Sequence, residues 1–342
     1  MKKLFNISLL LLVLVVTSCN HKDLCIHHRD HAHKFHILVD ADYRCDWEEN
    51  YGYQDWQAIW PDYYVDYDGL RPATPKGLRV INSNEKLGSN THNIAANGGV
   101  VTLYEGPNDI LFYNNDTEYI LFQRNQSGNK ATTRATTRTR TRATYISSEF
   151  AEPGEETMTP PDMLFANHVE GYVPEKSVDP VHFPVTLHPL VFTYKVRYEF
   201  ESGLEYVAYA RGALSGMARS VTIETGDTSV EGATILFDNC ELTDYGVRAL
   251  VTSFGVPDFP SQGYEARVEG RKNALNLEVV LRNGKLINFN FDVTEQVQQQ
   301  PHGGVIVVSG IKIDPNDGKQ GTGAFDVDVN GWEDTEDIYL PL

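Results

Sequence analysis

Apolar and polar residues alternate along this chain in short runs with period two, and a period of 3.6 is hard to find anywhere after residue 34. In the first half the runs cover residues 35–40, 78–82, 99–104, 109–113, 119–124 and 141–147. In the second half they cover 185–200, 207–211, 233–237, 247–254, 275–281, 286–291, 305–308 and 325–329. Each run is bounded by turn residues, and Val, Thr, Tyr and Phe dominate them, the composition of half-buried strands. Asn283–Gly284 sits between two of the clearest runs and predicts a hairpin closed by a two-residue turn. The chain is therefore read as all-β, with about seven short strands per half, which is the pattern of a sandwich.

The segments between the runs divide the chain. Residues 149–184 are rich in Pro, Glu and Gly and read as an interdomain connection, with a boundary near Pro180. The expected bodies are residues 35–179 and 180–342. Residues 130–144, KATTRATTRTRTRAT, alternate Thr and Arg and read as either an exposed edge strand or a flexible, protease-accessible loop. The acidic, aromatic stretch 46–68, with Trp47, Trp56 and Trp60, is expected to lay its rings on the sandwich.

The N-terminus adds a location. Lys2 and Lys3 precede an apolar run, and Val16-Thr17-Ser18 places small residues directly before Cys19, the tripartite pattern of a cleaved export signal. The run is too short to span a bilayer. A Cys at the first mature position makes residues 1–18 a lipoprotein signal, with Cys19 the acylated (palmitate-type) residue that holds the mature chain on the outer membrane. Residues 19–34 then read as a His-rich tether. Removing residues 1–18 deletes two lysines and no acids, so the net charge of -18 becomes -20. That balance excludes a nucleic-acid partner bound through its phosphates and leaves the lipid as the membrane contact.

Few residues look chemical. His21, His27, His28, His31, His33 and His36 are imidazoles with the affinity for zinc or copper, but a tether supplies no packed second shell, so no metal is assigned. Asp326, Asp328, Asn330, Gly331, Asp334 and Asp337 occupy positions of a twelve-residue calcium loop, with Asp in place of the bidentate Glu at position 12. The competing reading, a strand over 325–329 ending in an Asn330–Gly331 turn, fits the local pattern better. Ser215 lies near the spacing of a hydrolase elbow, but Ala213 occupies the position that needs Gly. The acids are dispersed and single out no glycosidase pair, so no enzyme activity and no cofactor are expected. Once Cys19 is acylated, Cys25, Cys45 and Cys240 remain, an odd number that forces at least one free thiol.

The whole chain resembles the fimbrillin-like lipoproteins of Bacteroidetes. The matching pieces are residues 19–25 (CNHKDLC), 186–194 (TLHPLVFTY), 210–218 (ARGALSGMA), 291–297 (FDVTEQV) and 331–334 (GWED), in that order along the chain. The resemblance implies two transthyretin-like β-sandwich domains in tandem. It also implies a part in surface fimbriae or adhesion, with other fimbrial subunits or host or bacterial surface ligands as partners. In such proteins cleavage after an Arg removes the first strand and opens a groove for a strand from the next subunit. Arg44, and secondarily Arg29, stand where such a cut would free the 35–40 strand. The short tail over residues 338–342 leaves little room for a long donor strand and favours an anchor, a tip or a stand-alone lipoprotein over a stalk subunit. The alternative is a surface module that binds glycan or protein through the aromatic stretch.

Overall fold

The computed structural model describes residues 35–44, 72–127, 130–259 and 270–319. In chain order the strands are β1 (His36–Tyr43), β2 (Gly77–Asn84), β3 (Gly88–Ala95), β4 (Gly98–Thr102), β5 (Asn108–Asn114), β6 (Ile120–Ser127), β7 (Lys130–Thr137), β8 (Glu156–Met158), β9 (Phe165–Tyr172) and β10 (Val181–Pro189). They continue as β11 (Phe192–Ser202), β12 (Val207–Ala218), β13 (Ser220–Thr222), β14 (Gly232–Phe237), β15 (Glu241–Leu242), β16 (Gly246–Ser253), β17 (Ala274–Leu281), β18 (Leu286–Asp292) and β19 (Gly304–Lys312). Two five-residue helices, α1 (Thr294–Gln298) and α2 (Pro315–Lys319), flank β19. The all-β reading holds.

Seven strands close into a barrel in the order β1-β10-β9-β5-β2-β3-β4, with β4 returning to β1. Alternation explains its interior. Ile37 and Val39 of β1, Leu78 and Val80 of β2, Ile110 and Phe112 of β5, and Phe165 of β9 point inward and are buried, while the residues between them face outward. Closure rests on β1, which runs antiparallel to β4 from His36↔Thr102 to Asp40↔Gly98, and parallel to β10 from Ile37↔Val181 to Tyr43↔Leu187. Gly98 sits at the seam with φ +121, and a Cβ there would lie 2.0 Å from the Val39 carbonyl oxygen, so only glycine lets these backbones meet.

The second body is a two-sheet sandwich. One sheet has the order β15-β16-β11-β19 and the other β18-β17-β12-β14-β8. Tyr194, Val196 and Tyr198 of β11 pack against Leu214 of β12, Ile235 of β14 and Leu277 of β17 in one apolar core. Both buried phenols are satisfied: the Tyr194 hydroxyl donates to the Gln300 carbonyl at 2.8 Å, and the Tyr198 hydroxyl donates to the Asn276 carbonyl at 2.9 Å.

Three expectations change here. The boundary near Pro180 moves, because β10 begins at Val181 and supplies a wall of the barrel; the chain passes to the sandwich at Leu190–Val191. The Pro residues there signalled a turn into a strand, not the end of a domain. The bodies also exchange elements. β8, from the first half, pairs with β14 of the sandwich, and β13, from the second half, pairs with β7 in a three-stranded sheet β13-β7-β6. A shared core under that sheet joins Leu111 and Tyr113 of the barrel to Ala135 of β7, Val221 of β13 and Phe254. Finally, four residues, Arg282 to Lys285, join β17 to β18, and three of them, Arg282 to Gly284, are enclosed by the pair Leu281 and Lys285, where a two-residue turn was expected. The Leu281 N–H donates to the Lys285 carbonyl at 2.8 Å and the Lys285 N–H donates to Asn283 Oδ1 at 3.0 Å, the longer hairpin class in which Gly takes the last loop position.

Candidate assembly surfaces

In an all-β chain the groups that most readily meet another chain are the unpaired N–H and C=O groups of edge strands. The closed barrel has no edges among the described residues. β15 and β13 are two and three residues long, and β8 is covered on its outer side, where the Arg140 N–H donates to the Thr157 carbonyl at 2.9 Å and the Thr159 N–H donates to the Arg138 carbonyl at 2.9 Å. Among the described residues that leaves β6, β18 and β19 as the long edges. β18 pairs with β17 over seven consecutive positions, from Ala274↔Asp292 to Val280↔Leu286, with no break in register. Its Ile287, Phe289 and Phe291 are partly buried against the sandwich core. A straight edge with an apolar inner face suits strand addition.

Arg44 directly follows β1. Its N–H donates to the Leu187 carbonyl at 2.9 Å, continuing the β1–β10 ladder, so the bond a protease would cut is fastened to a neighbouring strand. β1 is an interior strand paired on both sides, and removing it would uncover the barrel core around Ile37 and Val39.

The first half of the Thr-Arg run, residues 130–137, is a strand, but the central one of its sheet and not an edge; residues 138–144 continue as irregular chain. Thr133, Ala135 and Thr137 are buried in alternation along β7, and the chain then runs over the outer face of the sandwich. There Arg140 and Arg142 converge on Asp238: Arg142 Nη2 donates to Asp238 Oδ1 at 2.8 Å and to the carbonyls of Gly212 and Phe237, both at 3.1 Å, while Arg140 pairs with the other carboxylate oxygen. The Arg142 side chain is 6% exposed, and burial lowers its pKa from the usual guanidinium value, opposed by Asp238. Beside it Arg211 pairs with Glu278, whose side chain is fully buried, and donates to Thr144 Oγ1 at 2.7 Å. The layer is a charged lining between the run and the sheet, and it fastens the run down.

Glu155 extends that lining. Its Oε2 accepts from the Gly216 N–H at 3.0 Å and from Thr234 Oγ1 at 2.8 Å, and burial pushes its pKa up against both hydrogen bonds. Ser215 is buried with its hydroxyl 3.1 Å from Thr234 Oγ1, which is free to accept from it once its own proton goes to Glu155, so Ser215 belongs to the same structural network. Cys240 is a free thiol whose pKa is pushed up to about 12 by burial, which keeps it protonated and a weak nucleophile. His36 of the histidine cluster lies at the start of β1, 3.3 Å from Thr102 Oγ1. Among the described residues no group of three His, Cys, Asp or Glu side chains is placed to hold a metal ion. Cys19, Arg29, Cys25, Cys45, the aromatic stretch 46–68 and the calcium-loop residues Asp326, Asp328, Asn330, Asp334 and Asp337 lie outside the described residues.

Comparison with known proteins places this architecture. Residues 61–238, just over half of the chain, match the family described as "Domain of unknown function (DUF5119)". The match runs from before β2 through β14 and so takes in parts of both bodies. The chain is 23% identical over 317 residues to a Bacteroides ovatus protein named "Putative fimbrium anchoring subunit Fim4B", covering 84% of this chain and 91% of the relative. Among solved structures, a Bacteroides ovatus protein titled as a "putative adhesin" aligns with a TM-score of 0.53 and 19% identity, covering 84% of this chain and 96% of that one. The fimbrial anchor protein Mfa2 from Porphyromonas gingivalis aligns with a TM-score of 0.43 and 13% identity, over 80% of this chain and 90% of that one.

Proposed function

The chain belongs to the DUF5119 family, and from that premise we propose that it is a lipid-anchored cell-surface protein serving as an anchor or accessory subunit of a fimbrium. The observation that carries this reading is the alignment with a protein named as a fimbrium anchoring subunit over 91% of that protein's length. The described fold supports it: the barrel withholds every edge, whereas β18 offers a straight edge over an apolar face, the form of surface that accepts a strand from a neighbouring subunit. The finer reading of two transthyretin-like β-sandwiches in tandem is supported in the second body by its sheets of four and five strands; the first body, expected as a sandwich, closes its seven strands into a barrel instead.

In this reading Cys19 is acylated and stays joined to the barrel. β1 remains in place, because it is paired on both sides and the Arg44 N–H is held in the ladder. A cut after Arg44 or Arg29 would instead release the lipid from the body, so the mature N-terminus decides between anchor and matured subunit. When Cys19→Ser is produced in the native cell, the protein is expected to leave the membrane fraction and fibres to be shed into the medium. Fibres that remain attached at the usual level overturn the anchoring role. Mass spectrometry that finds the surface protein beginning at Cys45 overturns retention of β1.

A further inference from the structure

β18 and β19 are both long edge strands of the sandwich, yet they are finished differently. Along the outer side of β19, the side-chain amide of Gln296 donates through Nε2 to the Val307 carbonyl and accepts through Oε1 from the Val307 N–H, both at 2.9 Å. The amide of Gln300 does the same at Val305, donating to its carbonyl at 3.0 Å and accepting from its N–H at 2.7 Å. Each glutamine thus makes the pair of bonds that a backbone residue makes in an antiparallel ladder. The geometry matches because four residues along a helix rise about 6 Å, and two residues along a strand advance about 6.7 Å.

The two glutamines are held for this role. Gln300 is buried, and its Nε2 also donates to the Gln296 carbonyl at 2.9 Å. Val297 between them is fully buried in the sandwich core, and the Tyr194 hydroxyl donates to the Gln300 carbonyl. The covered stretch is the one that most needs cover. Val305, Ile306, Val307 and Val308 are consecutive, uncharged and β-branched, the type of segment that pairs with its own copies when its edge is bare. Past the glutamines the edge is broken in a second way. The register with β11 shifts between Tyr198 and Phe200, Gly310 opposite has φ +83, and Lys312 closes the strand with an ion pair to Glu201 at 2.6 Å. Bulges and terminal lysines are established ways of blunting an edge.

We infer that α1 and the turn after it form an edge guard: the side-chain amides of Gln296 and Gln300 stand in for a neighbouring strand on β19 and stop it from pairing with β19 of a second copy of this chain. Two copies presenting the same bare edge would meet antiparallel about a two-fold axis, so the guarded association is a symmetric dimer or its extension into larger assemblies. This inference stands on the sandwich alone and does not depend on the fimbrial reading.

The test is the full chain carrying Gln296→Ala and Gln300→Ala, followed by hydrogen exchange and sedimentation. In the wild type the Val305 and Val307 amides are expected to exchange slowly and the chain to show no association through β19. In the variant, at low concentration, those two amides are expected to exchange at least about tenfold faster, while Ile306 and Val308, which face β11, keep their protection. At higher concentration the variant is expected to sediment as a dimer or larger species. A folded variant that neither associates more than wild type nor changes exchange at Val305 and Val307 overturns the guard. If the double variant does not fold, Gln296→Ala alone decides, because Gln300 and the buried anchor remain; unchanged Val307 exchange and unchanged association again overturn it.

Discussion

The barrel and the sandwich solve the same problem in opposite ways. Both are built from short alternating strands whose outer backbone groups invite another chain. The barrel removes the invitation by closing β4 and β10 onto β1, and the second of these ladders ties Ile37 to Val181, far along the chain. The sandwich keeps its edges, covers one with glutamine side chains, covers another with the arginine run, and leaves β18 straight. Their linings differ as well. The barrel interior is a continuous apolar core, whereas the outer face of the sandwich is lined by Arg142, Asp238, Arg211, Glu278 and Glu155. Among the described residues the uncovered long edges are thus β18 of the sandwich and β6, and the barrel offers none.

The contrast has a limit, the core that both bodies share, and breaking that core is expected to give the largest effect. Phe254 is buried where the barrel, the three-stranded sheet and the sandwich meet. Phe254→Ala should cost about 3–5 kcal/mol and lower the stability of both bodies together. Thermal unfolding followed by tyrosine fluorescence in each body should remain one transition; two separated transitions would show that the bodies are independent after all.

A somewhat smaller loss tests the charged lining. Arg211→Met leaves the fully buried Glu278 carboxylate without its partner and should destabilise by about 3 kcal/mol. Adding Glu278→Leu should restore much of that loss, since the unpaired charge is then gone. A double variant as unstable as the single would mean that the packing of Arg211, not its charge, stabilises this face of the sheet. In the barrel the corresponding weak point is geometric. Gly98→Ala forces a Cβ onto the Val39 carbonyl and strains a positive φ, and should cost about 2 kcal/mol with hydrogen exchange rising first along β1 and β4.

The sequence announced the strands but not the bodies. Alternation located most of β1, β2, β5, β17, β18 and β19, because one buried face imprints a period of two on the residues. Closure of the barrel was illegible: it depends on β1 meeting β10 in parallel, a pairing across a long separation that no local pattern records. Pro180 and its neighbours looked like a linker, since a strand entered through prolines and a domain boundary share the same composition. The Thr-Arg run looked solvated because arginine is usually exposed; the carboxylate that Arg140 and Arg142 share, Asp238, lies about a hundred residues away. The guard left a faint trace, the QVQQQ run at 296–300, whose i and i+4 glutamines fall on one face of a helical turn.

The finest distinction concerns Glu155, which holds the crossing segment before β8 to β12 and β14. Burial raises its folded-state pKa above the unfolded carboxylate value, so the native state binds the proton more tightly than the unfolded chain does. Its contribution to stability is therefore fully present below the unfolded pKa and is lost as pH rises through the folded one. A glutamine side chain at this position keeps an oxygen to accept from the Gly216 N–H and Thr234 Oγ1 and carries no charge. Glu155→Gln should match the wild type at low pH and exceed it by a small margin at neutral pH, with the gap opening across the carboxylate range. A Glu155→Gln variant less stable than the wild type at neutral pH would mean that the ionised carboxylate strengthens those two hydrogen bonds by more than its burial costs. The crossing segment would then be held by charge, as Arg142 is, and the sandwich's outer lining would be ionic from end to end.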